Sequence, residues 1–357
     1  MIYLLLILGL FFGIPVQQHV SPPAGPDNNR YTPRVYQADQ SGWIRPKSAS
    51  DPLVWGRPEG LVFGLPSEGG IRGPRGLIRV GVLSSTGTAH LVNFFAVEPV
   101  TQGPGPRHLR MGYSELEMSE LDAQKRGKRM WTDNHAGELE TSGSREALSV
   151  RIEVEPFSAN GARVYVIATM FSDKPHEIQL TVHHHAESQP IEELTLTATM
   201  GNKARLRQLW LKDEIVDSRT LYVGYDGNEF VEKRIYPLSE MLTWKGDPIV
   251  LATSDEKDPA SVHIAQRPSW NYTAHRMTQY WRVPAEDVKP NLHVRVNGRR
   301  VYWAGTIPIP GGVSYENIEL RQTYTPGQRF IFGMLPVEPH DFEPAIEHLA
   351  PAPEFID

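Results

Sequence analysis

Alternation of apolar and polar residues with a period of two is the feature that most constrains the fold of this chain. It is clearest from Leu148 to Val154, where every second residue is aliphatic and the residues between are polar or charged. Side chains of a β-strand point alternately to opposite faces, so the pattern predicts a strand with one buried and one solvated face. The run from Arg163 to Met170 is apolar on nearly both faces and predicts a central strand. Asn160-Gly161, between the two runs, predicts a tight turn.

Three consecutive histidines end the next alternating run. The period places His184 on the apolar face of that strand, and His183 and His185 on the opposite face. Two residues that share a face in this way lie roughly 6–7 Å apart. Such a pair can hold a metal or a polar substrate, and a solvated pair is the competing interpretation. Gln189 and Pro190 stand where a His-x-His metal motif would need a glutamate, so we predict no metal site.

Short alternating runs separated by turn residues fill most of the chain. From 194 to 200, aliphatic residues and Met200 alternate with Thr195, Thr197 and Thr199. Further strands are predicted at 90–97, 220–231 and 248–253, and Asn297-Gly298 predicts a hairpin turn. The chain has 30 Gly and 30 Pro, and long amphipathic helices are scarce. We therefore predict an all-β fold, a large antiparallel β-sandwich with few short helices.

Length and charge exclude some classes of function. A chain of 357 residues buries enough surface to fold without disulfides, and it contains no Cys. The formal net charge of −6 argues against general binding to nucleic acids or to anionic membranes. The Gly-rich stretch 69–76 lacks both the Lys-Ser/Thr ending of a phosphate loop and the dinucleotide fingerprint. We expect no cofactor.

The two ends differ in composition from the middle. Residues 1–17 are predicted to be a signal peptide or an uncleaved N-terminal anchor, because they are apolar but short for a membrane span. We interpret 18–50 as a Pro/Ser-rich linker with ordered contacts near Trp43, 51–335 as a single β-sandwich domain, and 336–357 as an acidic Pro-rich tail. The predicted location is outside the cytoplasm: periplasmic, extracellular or on the cell surface, with no membrane contact beyond a possible anchor.

Aromatic residues beside Arg, His or Asn suggest a polar ligand. Clusters around Trp131, Trp270, Tyr280 and Trp303 combine rings with hydrogen-bonding groups. Sugar rings stack on aromatic side chains, and their hydroxyls bind to charged and amide groups. A buried core aromatic is the alternative for each cluster taken alone. Together the clusters favour a polysaccharide or an oligosaccharide as the partner.

Two motifs carry a resemblance to known proteins. They are Leu196-Thr197-Ala198-Thr199-Met200-Gly201-Asn202 with Arg205 and Arg207, and Pro310-Gly311-Gly312 followed by Glu316-Asn317. They resemble a secreted bacterial family found among polysaccharide-degrading proteins. The strand-rich course of residues 55–335 is similar to the galactose-mutarotase-like β-supersandwich. The resemblance implies a supersandwich-like fold and sugar-related chemistry.

Two functions follow as hypotheses: a secreted protein that binds and cleaves a polysaccharide, or a non-catalytic carbohydrate-binding or structural module of a cell-surface sugar system. A lyase needs a cation and a base, and a hydrolase needs two carboxylates, for which Glu115, Glu117 and Glu316 are candidates. The candidate catalytic residues are His183, His185, Arg205, Arg207, Tyr280 and Glu316. The candidate substrate-binding residues are Trp131, Trp270, Arg282, Trp303 and Asn317.

Overall fold

The computed structural model describes residues 34–65, 76–114, 130–199, 205–254, 271–272, 278–302 and 306–335. Strands account for 53% and helices for 5% of the structure, so the predicted all-β class is confirmed. No helix among the described residues is long and apolar enough to cross a membrane.

The described part of the chain contains twenty strands, one short α-helix and three single-turn 3-10 helices. The strands are β1 (Val54–Gly56), β2 (Leu61–Gly64), β3 (Ile78–Leu83), β4 (Ala89–Thr101), β5 (Met130–Trp131), β6 (Glu138–Ser142), β7 (Arg145–Val154), β8 (Val164–Phe171), β9 (Lys174–His184), β10 (Ile191–Thr199), β11 (Leu206–Trp210), β12 (Ile215–Asp217), β13 (Arg234–Pro237), β14 (Leu242–Trp244), β15 (Asp247–Ser254), β16 (Asn271–Tyr272), β17 (Thr278–Arg282), β18 (His293–Arg299), β19 (Ser314–Thr323) and β20 (Gln328–Leu335). The helix is α1 (Ser218–Leu221), and the 3-10 turns are Arg107–Leu109, Leu238–Glu240 and Ala285–Asp287.

These strands form two sheets that pack as a sandwich. The first sheet has the order β1-β2-β3-β4-β10-β19-β18-β13, and β16 pairs in parallel with β4. The second sheet has the order β12-β11-β15-β17-β20-β9-β8-β7-β5, with β14 added to β15 and β6 to β7. The other strand pairs are antiparallel, as predicted.

One hydrophobic core lies between the sheets. The apolar residues of each alternating strand, such as Leu196 in β10 and Val166 in β8, are fully buried in it. Phe95 of the first sheet packs edge-on against Phe332 of the second, with ring centroids 4.7 Å apart. Burial of this surface is the main force holding the sandwich together. The polar residues that alternate with these core residues therefore point outward from each sheet.

Residues 34–50 pack against the sandwich. Trp43 is fully buried in the core, and its indole nitrogen donates to Glu146 Oε2 at 2.8 Å. Ile44 forms a bridge with Gly56 of β1. The packed structure therefore begins before residue 51, although the sequence indicated only contacts near Trp43 in this segment. The predicted segments 1–17 and 336–357 lie outside the described residues.

Two local predictions are wrong, and a third, the face of His184, is correct. Asn297-Gly298 does not turn the chain: it lies within β18, opposite a bulge in β19, and Ser314 approaches Gly298 so closely that a side chain there would meet its carbonyl. The turn follows later, between β18 and β19. The predicted strand 220–231 contains the end of α1 and irregular chain. His184 does share the face of the apolar residues, but it lies exposed at the end of β9, where its ring bonds Tyr324 Oη at 3.0 Å.

Candidate functional site

The first sheet carries polar residues on the side away from the core. They lie on four of its strands, β4, β10, β19 and β18. We call this surface the polar face. Its members alternate with core residues such as Leu196 and Leu320, which fixes their outward direction. The polar face consists of Glu98, Glu193, Thr195, Thr197, His293, Arg295, Asn297, Asn317, Glu319 and Arg321.

Cross-strand register brings these side chains together. Directly opposite residues in an antiparallel sheet have Cβ atoms about 4.5–5.5 Å apart, so each row is a line of contacting side chains. Three rows cross the four strands: Glu98–Thr195–Arg321–His293, Ala96–Thr197–Glu319–Arg295 and Phe94–Thr199–Asn317–Asn297. The face is therefore continuous, although its members are separated by up to about two hundred residues in sequence.

Two carboxylates on the polar face are each held between two cations. Arg321 donates from Nε and Nη2 to Glu193 Oε2, at 2.8 and 2.5 Å. The other oxygen of Glu193 lies 3.1 Å from Arg107 Nη2. Glu193 is 3% exposed, so this carboxylate is removed from water and its charge is compensated by the two guanidinium groups.

Glu319 forms the second such group. Lys233 donates to its Oε1 at 2.5 Å, and Arg295 Nε lies 3.2 Å from its Oε2. Glu319 is 2% exposed. Each carboxylate thus serves as a hydrogen-bond acceptor inside a cation–carboxylate–cation group.

Several buried polar atoms of the polar face have no hydrogen-bond partner among the described residues. Thr195 is fully buried and Thr197 is 2% exposed, and neither hydroxyl is bonded. Leaving a buried donor or acceptor unbonded costs about 1–3 kcal/mol, so native proteins rarely do so without a reason. The unpartnered atoms are Thr195 Oγ1, Thr197 Oγ1, Arg295 Nη1, Asn297 Oδ1, Asn317 Oδ1 and Glu319 Oε2.

His293 supplies an imidazole at one end of the first row. Its Nδ1 lies 2.8 Å from the carbonyl oxygen of Asn291, which can only accept, so Nδ1 carries the proton. Burial lowers the pKa of His293 below its usual 6.5, and the positive charges of Arg321 and Arg295 lower it further. The ring is therefore neutral near pH 7, and its Nε2 is an acceptor.

A second polar cluster, on the outer face of the second sheet, is fully bonded. Arg282 donates from Nε and Nη2 to the two oxygens of Glu177, at 3.0 and 2.7 Å, and from Nη1 to Asp247. Tyr280 donates to Glu177 at 2.9 Å. Burial, followed by the charge of Glu177, raises the pKa of Tyr280 well above its usual value, so the phenol stays protonated. The candidates Tyr280 and Arg282 thus lie together in a network whose bonds hold strands together.

Candidates His183, His185 and Trp131 share another part of that outer face. Trp131, Glu153, Tyr165 and His183 lie in one cross-strand row. The rings of Tyr165 and His183 stack with centroids 5.0 Å apart, and His185 Nε2 lies 2.9 Å from Glu153 Oε2. Each of these two histidines thus interacts with a neighbouring side chain of the second sheet.

The remaining candidates lie near the turn between β18 and β19. Arg205, which precedes β11 with a φ of 47°, donates to Tyr302 Oη at 3.3 Å, and Arg207 donates to the carbonyl of Pro310. Glu316 is the extra residue of the bulge in β19, and its neighbour Asn317 belongs to the polar face. Trp270, Trp303, Glu115 and Glu117 lie outside the described residues.

The candidates therefore do not share one surface. Of the predicted residues that the structure describes, only Asn317 lies on the polar face. Thr195 and Thr197 were visible as an alternating row, but strand propensity alone accounts for threonine in such a row. Nothing in the sequence around Glu319 or Arg295 indicates a site, because only the register of β18, β19 and β10 brings them beside the threonines.

Two other kinds of site are less favourable. Among the residues that the structure describes, no group of three or more His, Asp or Glu side chains is placed to hold a metal ion. A cavity of about 370 Å³ lies beside the β14–β15 hairpin. Its lining combines the apolar Leu238, Met241 and Val288 with the polar Lys212, Ser239 and Thr243, and none of the predicted site residues lines it.

Comparison with known proteins adds little. No family model matches the chain, and no curated protein matches it. Among solved structures, it is similar to a Salmonella typhimurium protein described as a "putative mutarotase". The two are 9% identical over 84% of this chain and 95% of that chain, with a TM-score of 0.26. So weak a likeness carries no argument about function, which has to be inferred from the polar face itself.

Proposed function

We propose that this protein binds a carbohydrate on the polar face of its first sheet. The observation that carries the proposal is the contiguous set of buried, unpartnered polar atoms contributed by β10, β19 and β18. The bonded network around Arg282 is a contrast within the same molecule, because there the buried groups satisfy one another. A contiguous set of unsatisfied buried groups on one surface is typical of a site that is completed by its ligand.

The chemistry of these atoms suits a polyol. Asn317 Oδ1 and Glu319 Oε2 can only accept hydrogen bonds, and Arg295 Nη1 can only donate. The hydroxyls of Thr195 and Thr197 can do either. A sugar presents several hydroxyls, each both donor and acceptor, at spacings that match neighbouring side chains of a sheet. Neither an apolar ligand nor a simple anion would satisfy both kinds of group.

The polar face favours binding and contains one feature that favours catalysis. Glu193 and Glu319 are engaged with cations, so neither is placed to donate a proton as a hydrolase requires. His293, however, is a neutral imidazole beside Arg321 and Arg295. A base next to cations is the arrangement that a uronate lyase needs, so cleavage by elimination is the second candidate function.

The test is to titrate the protein with a panel of mono- and oligosaccharides by calorimetry. The double variant Thr195→Val/Thr197→Val removes the two unpartnered hydroxyls and keeps the side-chain shape. We expect at least one sugar to bind the parent, and the double variant to bind it about tenfold more weakly or worse, since two hydrogen bonds are lost. Absorbance of unsaturated uronate, followed in the same mixtures, tests the lyase candidate.

Thr169→Val is the matched control. Thr169 is a buried strand threonine of the second sheet, and its hydroxyl lies 2.9 Å from Ser149 Oγ. This variant loses a satisfied bond and should keep full sugar affinity. The proposal fails if no sugar of the panel binds, or if both threonine sites affect affinity equally.

A further inference from the structure

We infer that the sugar bound by the polar face is acidic, and that Arg295 pairs with its carboxylate. This inference rests on the proposed function and specifies the class of ligand.

The balance of charge on the polar face favours an anion. Four cationic side chains, Arg107, Lys233, Arg295 and Arg321, meet there with three carboxylates, Glu98, Glu193 and Glu319. Glu192, near Arg107 and Arg321, is paired with Arg110, and His293 is neutral near pH 7. Counted over the described residues, one positive charge is therefore left over. The protein as a whole has a net charge of −6, so this surplus is local. A buried charge without a counter-charge is costly, and a bound anion removes that cost.

The geometry indicates that the surplus positive charge is that of Arg295. Arg321 gives both Nε and Nη2 to Glu193, so that guanidinium is largely engaged. Arg295 approaches Glu319 with its Nε, 3.2 Å from Oε2, and its Nη1 is buried without a hydrogen bond among the described residues. Glu319 is shared with Lys233, which donates to its other oxygen. Arg295 is therefore the cation whose guanidinium group still has an N–H donor without a hydrogen bond. Guanidinium groups bind carboxylates strongly.

The neighbours of Arg295 indicate that the carboxylate belongs to a sugar. Glu319 lies directly opposite Arg295, and Thr197 lies directly opposite Glu319. Asn317 Oδ1 has no hydrogen bond, and Glu319 Oε2 has only the ion-pair contact with Arg295 Nε at 3.2 Å. A carboxylate alone would donate to neither of these acceptors. The hydroxyls of a uronic acid supply the missing donors. A free carboxylate such as acetate would satisfy Arg295 but not these acceptors.

The experiment compares sugars that differ in one group. Galacturonate carries a carboxylate where galactose carries a hydroxymethyl, and glucuronate and glucose form a second pair. We expect each acid to bind the parent about tenfold or more tightly than its neutral partner, because a hydrogen bond to a charged group is the stronger kind. The advantage should shrink at high salt. Acetate should compete only weakly.

Arg295→Gln should lower the ratio of acid to neutral affinity to about one, while the neutral sugar still binds. Arg329→Gln is the charge-matched control. Arg329 pairs with Glu286 and Asp287 beside the second sheet, so its loss changes the net charge equally and should leave the ratio unchanged.

The outcomes separate the two claims. If none of the four sugars binds, the proposed function fails for these ligands and the acidic specificity fails with it. If acid and neutral sugars bind equally, the polar face binds carbohydrate and the acidic specificity is refuted. If acetate competes as well as galacturonate, the site is a simple anion site. If Arg295→Gln keeps the preference, another cation holds the carboxylate.

Discussion

At the scale of single residues, two buried carboxylates differ in how completely their oxygens are hydrogen-bonded. Glu177 accepts three bonds from Arg282 and Tyr280, and both of its oxygens are used. Glu319 is equally buried, yet one of its oxygens has no hydrogen bond among the described residues. The first arrangement stabilises the fold by itself, whereas the second leaves one oxygen with only the ion-pair contact of Arg295, able to accept a hydrogen bond from a ligand.

Gly333 is needed because the Tyr280 ring crosses over it to reach Glu177. A methyl group at Gly333 would overlap the ring of Tyr280. We expect Gly333→Ala to reduce the free energy of unfolding by about 1–3 kcal/mol, as overpacking does. In a Tyr280→Ala background the same change should have little effect, and urea denaturation of the four proteins measures this coupling. Equal effects in both backgrounds would show that the ring is not the obstacle.

His293 makes stability depend on pH. Its pKa is lowered in the folded protein, so the unfolded chain takes up a proton more readily as the pH falls below 6.5. The contribution of this residue is therefore complete above that pH and is lost on acidification. We expect His293→Gln to lose less stability than the parent between about pH 7.5 and about pH 5, measured by urea denaturation. Identical losses would show that His293 protonates as freely in the fold as in the unfolded chain.

At the scale of elements, the sequence predicts where the strands lie, but it does not predict which strands pair with each other. The alternation in 148–154 and 194–199 predicts β7 and β10 and the face of each that enters the core. It does not show that β10 lies between β4 and β19, which is set by packing across long stretches of chain. Alternation also predicts a wet face for Thr195 and Thr197, whereas both are buried. The candidate site was missed for these two reasons.

The segment before β1 is a structural part of the sandwich. Trp43 is fully buried against the core, whereas Val35 is 56% exposed. We expect Trp43→Ala to reduce the free energy of unfolding by about 3–5 kcal/mol, because truncating a buried aromatic leaves a large cavity. Val35→Ala should change it by no more than about 0.5 kcal/mol. Similar small effects for both, in urea denaturation, would show that the segment is detached from the core.

At the scale of the whole molecule, the outer faces of the two sheets differ in how their charged and polar groups are paired. The second sheet bonds its outward charges to one another, as in the pairs of Arg282 with Glu177 and of His185 with Glu153. The first sheet keeps buried polar atoms without partners on one face. The shared core between them supplies the stability that such a face requires. Export from the cytoplasm remains a prediction from residues 1–17.

The central claim is that the unpartnered hydroxyls of Thr195 and Thr197 are kept for a ligand at the expense of stability. The most direct test is the free energy of unfolding of the parent and of Thr195→Val/Thr197→Val, each with and without a sugar that the parent binds. Without sugar, the variant should be at least as stable as the parent and more stable by up to about 1–3 kcal/mol, because unbonded hydroxyls are removed. With sugar, the parent should gain more stability than the variant, because it binds the sugar more tightly. A destabilised variant that gains as much from the sugar as the parent does would contradict the account.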